Sequence, residues 1–337
     1  MKRALPALAV LVLLGAAVAV AMNGAQRGEP GASATGVSRR NAPVADAPGS
    51  PIQIEKQDRN PWTNLKVNNK PRNFQFAIVT DRTGGRRPGV FSRAVEKVNL
   101  LQPEFVMSVG DLIEGYNEDP GMWALEWSEF ESKLQGLQMP FFFCPGNHDI
   151  TNVPMSDEWH RRFGRSYYHF KYHDVLFVVL NSEDKTSPLK KPPYYIGEKQ
   201  RKWADGVLKA NRDVRWTFVI LHKPWWYYLG ADHRLLGWKA IEESLGERQY
   251  TVFAGHNHRY GRYIRNGREH YILATTGGAS KLQMGMAEGY FDHFVWVTMK
   301  DNRPVIANLL LSGIHDRRIR DNPPIPKPAK RPRRKRK

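Results

Sequence analysis

From Asn73 onward, short apolar runs alternate with stretches whose apolar residues recur at helical spacing. Phe74 to Thr80 reads as a buried strand that ends at Asp81. Val90, Phe91, Ala94, Val95, Val98 and Leu101 share one helix face. Phe105 to Val109 is the next strand, ending at Gly110-Asp111. Trp123, Trp127, Phe130, Leu134 and Leu137 mark an amphipathic helix. Phe141 to Cys144 is a third strand, ending at Gly146-Asn147-His148. This alternation of strands and helices is the order of a largely parallel α/β arrangement.

The second half is richer in strands. Tyr167 to Phe170 and Val175 to Leu180 predict a hairpin around Tyr172-His173-Asp174. A helix over Glu198 to Ala210 precedes a strand over Trp216 to Leu221, which ends at His222. A short helix near Leu235 to Leu245 precedes Thr251 to Phe253. Tyr260 to Ile264, Tyr271 to Thr275, Phe294 to Met299 and Val305 to Leu311 read as a meander.

Both ends differ from this body. Residues 1–22 open with Met1-Lys2-Arg3 and continue as an apolar stretch, which predicts an export signal or a single-span anchor. Residues 23–72 are rich in Gly, Ala, Pro, Ser and Asn and predict a flexible linker. The body then runs over 73–315, and 316–337 predicts a disordered basic tail. The chain of 337 residues carries a formal charge of +18. More than half of that excess lies between Arg317 and Lys337, so the body is only mildly basic. Such a tail would meet anionic lipid or envelope polymers outside the cytoplasm, with nucleic acid the less favoured partner. At 41% hydrophobic and 25% charged, the composition is that of a globular protein. The lone cysteine, Cys144, excludes an internal disulfide and reads as a buried strand residue.

The chemistry gathers at strand ends. Asp81, Asp111, Asn147, His148, His222, His256 and His258 each follow an apolar run. That edge of an open α/β sheet is where ligands bind. Any one of these residues has an ordinary use, as a helix cap or a satisfied half-buried histidine. Carboxylate, amide and imidazole delivered repeatedly to strand tips point instead to a cation-holding cleft suited to manganese, iron or zinc. Arg82, Arg86 and Arg87 follow Asp81 in a Gly-rich loop, and Arg82 is the candidate phosphate contact. Trp225-Trp226-Tyr227-Tyr228 could stack a base or simply pack under a loop. His233 and His293 are further candidates for lining the cleft.

The order Asp81, Gly110-Asp111, Gly146-Asn147-His148-Asp149, His222, then Gly255-His256-Asn257-His258 resembles the calcineurin-like metallophosphoesterase superfamily over about residues 74 to 311. The resemblance implies a four-layer β-sandwich with mixed sheets flanked by helices, and a two-metal centre at one sheet edge. It implies that Asp111 bridges both metals. Asn147, His222 and His256 would complete one site, while Asp81 and His258 would serve the other. His148 would act on the leaving-group oxygen. The family usually carries Asp-x-His at the first motif, where this chain has Asp81-Arg82-Thr83. A Thr hydroxyl is a poor ligand, so that site is expected to be weakened, to borrow Glu114, or to be dispensable.

The sequence therefore predicts an exported metal-dependent hydrolase of a phosphomonoester or phosphodiester. Two other readings remain open here. One is a non-catalytic phosphate-binding module that has lost a metal site. The other is a nucleic-acid-directed phosphodiesterase.

Overall fold

The computed structural model describes residues 52–67, 73–184, 195–228, 237–316 and 318–324. The apolar segment 1–22, most of the linker, His233 and the basic run from 327 lie outside the described residues. Among the described residues no helix is long and apolar enough to cross a membrane.

The chain opens with β1 (Ile52–Ile54), β2 (Phe74–Val79), α1 (Val90–Leu101), β3 (Val106–Ser108), α2 (Pro120–Leu134) and β4 (Phe141–Phe142). There follow α3 (Val153–Phe163), the hairpin β5 (Tyr168–Tyr172) and β6 (Val175–Val179), and α4 (Glu198–Ala210). Then come β7 (Trp216–Ile220), α5 (Trp238–Leu245), β8 (Tyr250–Ala254), β9 (Gly261–Arg265) and β10 (Arg268–Ile272). The last strands are β11 (His293–Lys300), β12 (Arg303–Leu310) and β13 (Gly313–Asp316).

Among the described residues these strands form two mixed sheets, a seven-stranded one ordered β1-β5-β6-β7-β8-β10-β9 and a six-stranded one ordered β13-β12-β11-β2-β3-β4. Strand alternation sorts the side chains into layers. Phe76, Ile78, Phe105, Met107, Phe177, Phe218 and Phe253 face inward and fill the space between the sheets. Ala77, Val79, Val106 and Phe141 face out and meet Phe91, Val98, Trp127, Phe130 and Trp159 of α1, α2 and α3. Leu176, Val178, Val219 and Val252 face the other way, onto Ala204, Leu208, Trp238 and Ile241 of α4 and α5. Helix, sheet, sheet, helix is the expected four-layer sandwich.

Three expectations are corrected, and one helix is added. The supposed meander splits: β9 and β10 join the seven-stranded sheet, β10 lying parallel to β8, while β11 and β12 belong to the other sheet. The linker ends early. Ile52–Ile54 pairs with β5, Trp62 bridges to Phe142, and Leu65 and Val67 pack on the core. The tail begins late. Residues 313–316 add a strand to β12, and Asp321 bridges to Arg262. The apolar pattern does not announce α3. It is set by Asn152, whose side chain accepts from the Met155 N–H at 2.9 Å, by Pro154 in the first turn, and by buried Met155, Trp159 and Phe163.

Candidate metal centre

β2, β3 and β4 of one sheet and β7 and β8 of the other all end at the same edge of the sandwich. Asp81 and Asp111 follow the first two strands, Asn147 and His148 the third, His222 the fourth, and His256 and His258 the fifth. Two donor groups result. Asp111, His222 and His256 offer ligand atoms within 4.8 Å of one another, and so do Asp81, Asp111 and His258. Asp111 is common to both.

Close backbone approach makes the convergence possible. A Cβ on Gly146 would lie 2.2 Å from an Asp111 carboxylate oxygen, and one on Gly255 would lie 2.2 Å from Asp81 Oδ2. Neither position admits a side chain. Asp111, His256 and His258 sit at φ of 58°, 74° and 50°, in the left-handed region, where a non-glycine residue is strained. Asp149 holds Asp111 there. Its buried carboxylate accepts the N–H groups of Asp111 (2.9 Å), Leu112 (2.7 Å), Ile113 (3.1 Å) and Gly146 (2.8 Å). Burial, together with the Asp111 charge, pushes the Asp149 pKa up to about 7 despite those bonds.

Main-chain carbonyls fix the imidazole tautomers, because a carbonyl can only accept. His222 Nδ1 donates to Val109 O (2.9 Å), His258 Nδ1 to Ala279 O (2.7 Å) and His148 Nδ1 to Glu114 O (2.5 Å). Each Nε2 is left facing the cleft, free to take a proton or a metal ion. His222 Nε2 then meets Asn147 Oδ1 at 2.9 Å, Asp111 Oδ2 at 3.2 Å and His256 Nδ1 at 3.2 Å. His258 Nε2 meets Asp81 Oδ1 at 3.4 Å. Carboxylate and amide oxygens and imidazole nitrogens converging this closely need positive charge between them, from protons on the imidazoles or from a metal in their place, so this donor set fits a cation.

The electrostatics agree. Burial alone would depress His222, yet the Asp111 carboxylate overrides it and raises its pKa to about 9. Burial would raise Asp111, and the His222 charge holds it well below the usual carboxylate range instead. Burial opposes ionisation of Asp81 too, but its bond to His258 lowers it. His256 drops to about 3 through burial and the neighbouring His222 charge.

Two residues outside the expected set support the cage. The Asn147 amide donates from Nδ2 to Tyr116 Oη at 2.9 Å, which turns Oδ1 toward His222. The Tyr116 ring also stands edge-on to His148, with centroids 4.6 Å apart. Asp149 could have been read from the Gly-Asn-His-Asp run, since it directly follows Asn147 and His148. Tyr116 carries no such signal.

Arg82 is a correction. Its guanidinium is 1% exposed and points away from the cleft. It donates to Leu112 O, pairs with Glu129, and lies over Phe91 and Phe130. A long side chain with an apolar stem completes the α1–α2 layer better than it reaches a solvated phosphate. Arg86 also pairs with Glu129, and Arg87 with Asp292. Glu114 is spent on the N–H groups of Gly84, Gly85 and Arg86. Thr83 Oγ1 is buried between the carbonyls of Asp111 (2.8 Å) and Ile113 (2.6 Å). Neither replaces the absent histidine. Trp225 and Trp226 are buried and present no stacking platform. His293 is enclosed too, accepting from the Ala274 N–H at 3.1 Å, and lies off the cleft. Cys144 is buried as expected.

A family model described as calcineurin-like phosphoesterase matches residues 74–260. The chain belongs to that family. Human serine/threonine-protein phosphatase CPPED1 is 30% identical over 186 residues, 50% of this chain and 58% of the human protein. Probable purple acid phosphatase 20 of Arabidopsis thaliana is 25% identical over 195 residues, 49% of this chain and 44% of that protein. The chain thus spans 58% of the length of the human CPPED1 that it matches. A dimetal phosphatase from Danio rerio superposes with a TM-score of 0.55 at 16% identity, over 72% of this chain and 98% of that one. GAP50, the anchor in the inner membrane complex of Plasmodium, gives 0.53 at 16% identity, over 72% and 88%. These structures share the fold of this calcineurin-like phosphoesterase domain.

Proposed function

We propose that the chain is an exported metal-dependent phosphoesterase, acting on a phosphomonoester. The observation that carries this reading is the pair of donor clusters sharing Asp111, with His148 Nε2 beside them, 4.0 Å from Asp111 Oδ2. Two cations held there would supply Lewis acidity to the phosphoryl oxygens and a nucleophilic water at neutral pH. Asp111 would lie between them and offset their repulsion. Asn147, His222 and His256 would complete one side, and Asp81 and His258 the other.

His148 has a different task. The Glu114 carbonyl holds its Nδ1–H, so Nε2 alone faces the cleft. When protonated, that nitrogen donates to the departing oxygen. Buried Asp111 and Asp81 repel a free anion, so a phosphoester is held only once the cage carries positive charge. The phosphatase names of the similar human and plant proteins favour a monoester over a diester. Export rests on the apolar segment 1–22, and contact with an anionic surface on the basic run from Lys327.

The test is turnover of a chromogenic phosphate ester with added manganese. His148→Asn is expected to lower kcat by about 10²–10⁴ with two metals still bound. A protein that binds metal and phosphate but turns over nothing would be the non-catalytic module instead. That second reading draws on one observation: neither Thr83 nor Glu114 supplies a further donor to the Asp81/His258 side.

A further inference from the structure

Beside the His256-Asn257-His258 turn lies an open hollow of about 260 Å³, lined by Tyr227, Tyr228, Asn257, Arg259, Tyr263 and Arg320. It shares a wall with the metal centre. Tyr228 O–H donates to Asn257 Oδ1 at 2.6 Å, and the Tyr228 ring stands 6.4 Å from that of His256. A phosphoester held in the cage would have this hollow beside it, across the Tyr228–Asn257 wall.

The lining defines what fits. Tyr227 meets Tyr228 and Tyr263 edge-on, with centroids 5.6 and 5.7 Å apart, so flat apolar faces border the space. Two guanidinium groups border it as well. Arg259 is held by Glu288, through its carbonyl and its carboxylate, both at 2.7 Å. Arg320 donates to the Tyr260 carbonyl at 2.8 Å, and among the described residues it makes no salt bridge to a carboxylate. Burial, then the nearby Arg259 charge, lowers its pKa. Two guanidinium groups against one exposed acid, Glu288, leave the hollow positive, and guanidinium groups suit planar anions.

We propose that this hollow is a leaving-group subsite that selects phosphoesters whose leaving group carries a flat ring and a second anionic group. The idea rests on the hydrolase reading above, so its test has an arm that needs no turnover. The kinetic arm compares 4-carboxyphenyl phosphate with phenyl phosphate on the manganese-loaded full chain. The carboxylated ester is expected to be favoured by about tenfold in kcat/KM, and Arg320→Gln to bring that ratio near one.

The binding arm uses metal-stripped full chain with 4-hydroxybenzoate and phenol as probes, read by calorimetry. 4-Hydroxybenzoate is expected to bind about tenfold more tightly than phenol, with the difference lost in Arg320→Gln. Equal binding of the two probes, or a difference that survives the substitution, overturns the subsite whatever the activity. A difference that is present and Arg320-dependent, with neither ester hydrolysed, supports the hollow as a site for aromatic anions and overturns both the hydrolase reading and the leaving-group role.

Discussion

The two donor clusters share one carboxylate but are enclosed to different degrees. Around His222 the cage is sealed: that imidazole is fully buried, Asn147 adds an oxygen, and Val109 and Tyr116 hold both in place. Around His258 it is open, the imidazole being 17% exposed. Thr83, which stands in the histidine's place, and Glu114, which the sequence nominates as a substitute donor there, are turned to the main chain. A common bridge therefore does not make two equal sites. The count and enclosure of the remaining donors separate a tight cation from an exchangeable one.

The largest effect should come from removing what the two sides share. Asp111→Ala is expected to eliminate both cations and all turnover; near-normal metal content by elemental analysis would refute the bridge. Breaking each side alone comes next. Wild-type protein should titrate with two affinities separated by about 10–100-fold, following loss of a donor on the weaker side. His222→Ala should delete the tight class and His258→Ala the weak one, and a single affinity class in wild-type protein would sink the comparison.

Acidity sharpens the same contrast. Protons and cations compete for His222, whose pKa without a cation is about 9. Affinity at the tight side should therefore fall by about tenfold per pH unit as pH drops below that value, and metal titrations at pH 6, 7 and 8 would show it. A flat profile would mean that His222 binds no cation. The smallest expected change is in Tyr116→Phe. Loss of the hydroxyl frees the Asn147 amide to turn, weakening the tight side about tenfold and leaving the weak side unchanged. Equal weakening of both would make Tyr116 a general packing residue.

Much of this arrangement is legible in the residues themselves. A carboxylate or imidazole at the end of an apolar run must sit at a sheet edge, and the five relevant strands run where their apolar patterns put them. Direction of long side chains is less legible. Arg82 sits in a Gly-rich loop that looks made for phosphate, yet Glu129, forty-seven positions away, turns it inward. Sheet membership is also hidden. β10 and β11 follow one another in sequence, but nothing in their alternation says that one joins β8 and the other β2. The docking of Trp62 on Phe142 escapes notice because a few apolar residues in a polar stretch make no period. Tyr116 and Asp149 act through the backbone or through another ligand, a role with no residue type of its own.

The cage draws Asp81, Asp111 and Asn147 from one sheet and His222, His256 and His258 from the other. A cation there is a rivet through the whole sandwich. Its affinity becomes resistance to peeling the halves apart, about 2.7 kcal/mol when the ion is present at a hundred times its dissociation constant. Chelation should thus loosen the entire domain and lower its melting temperature, well beyond silencing one corner of it.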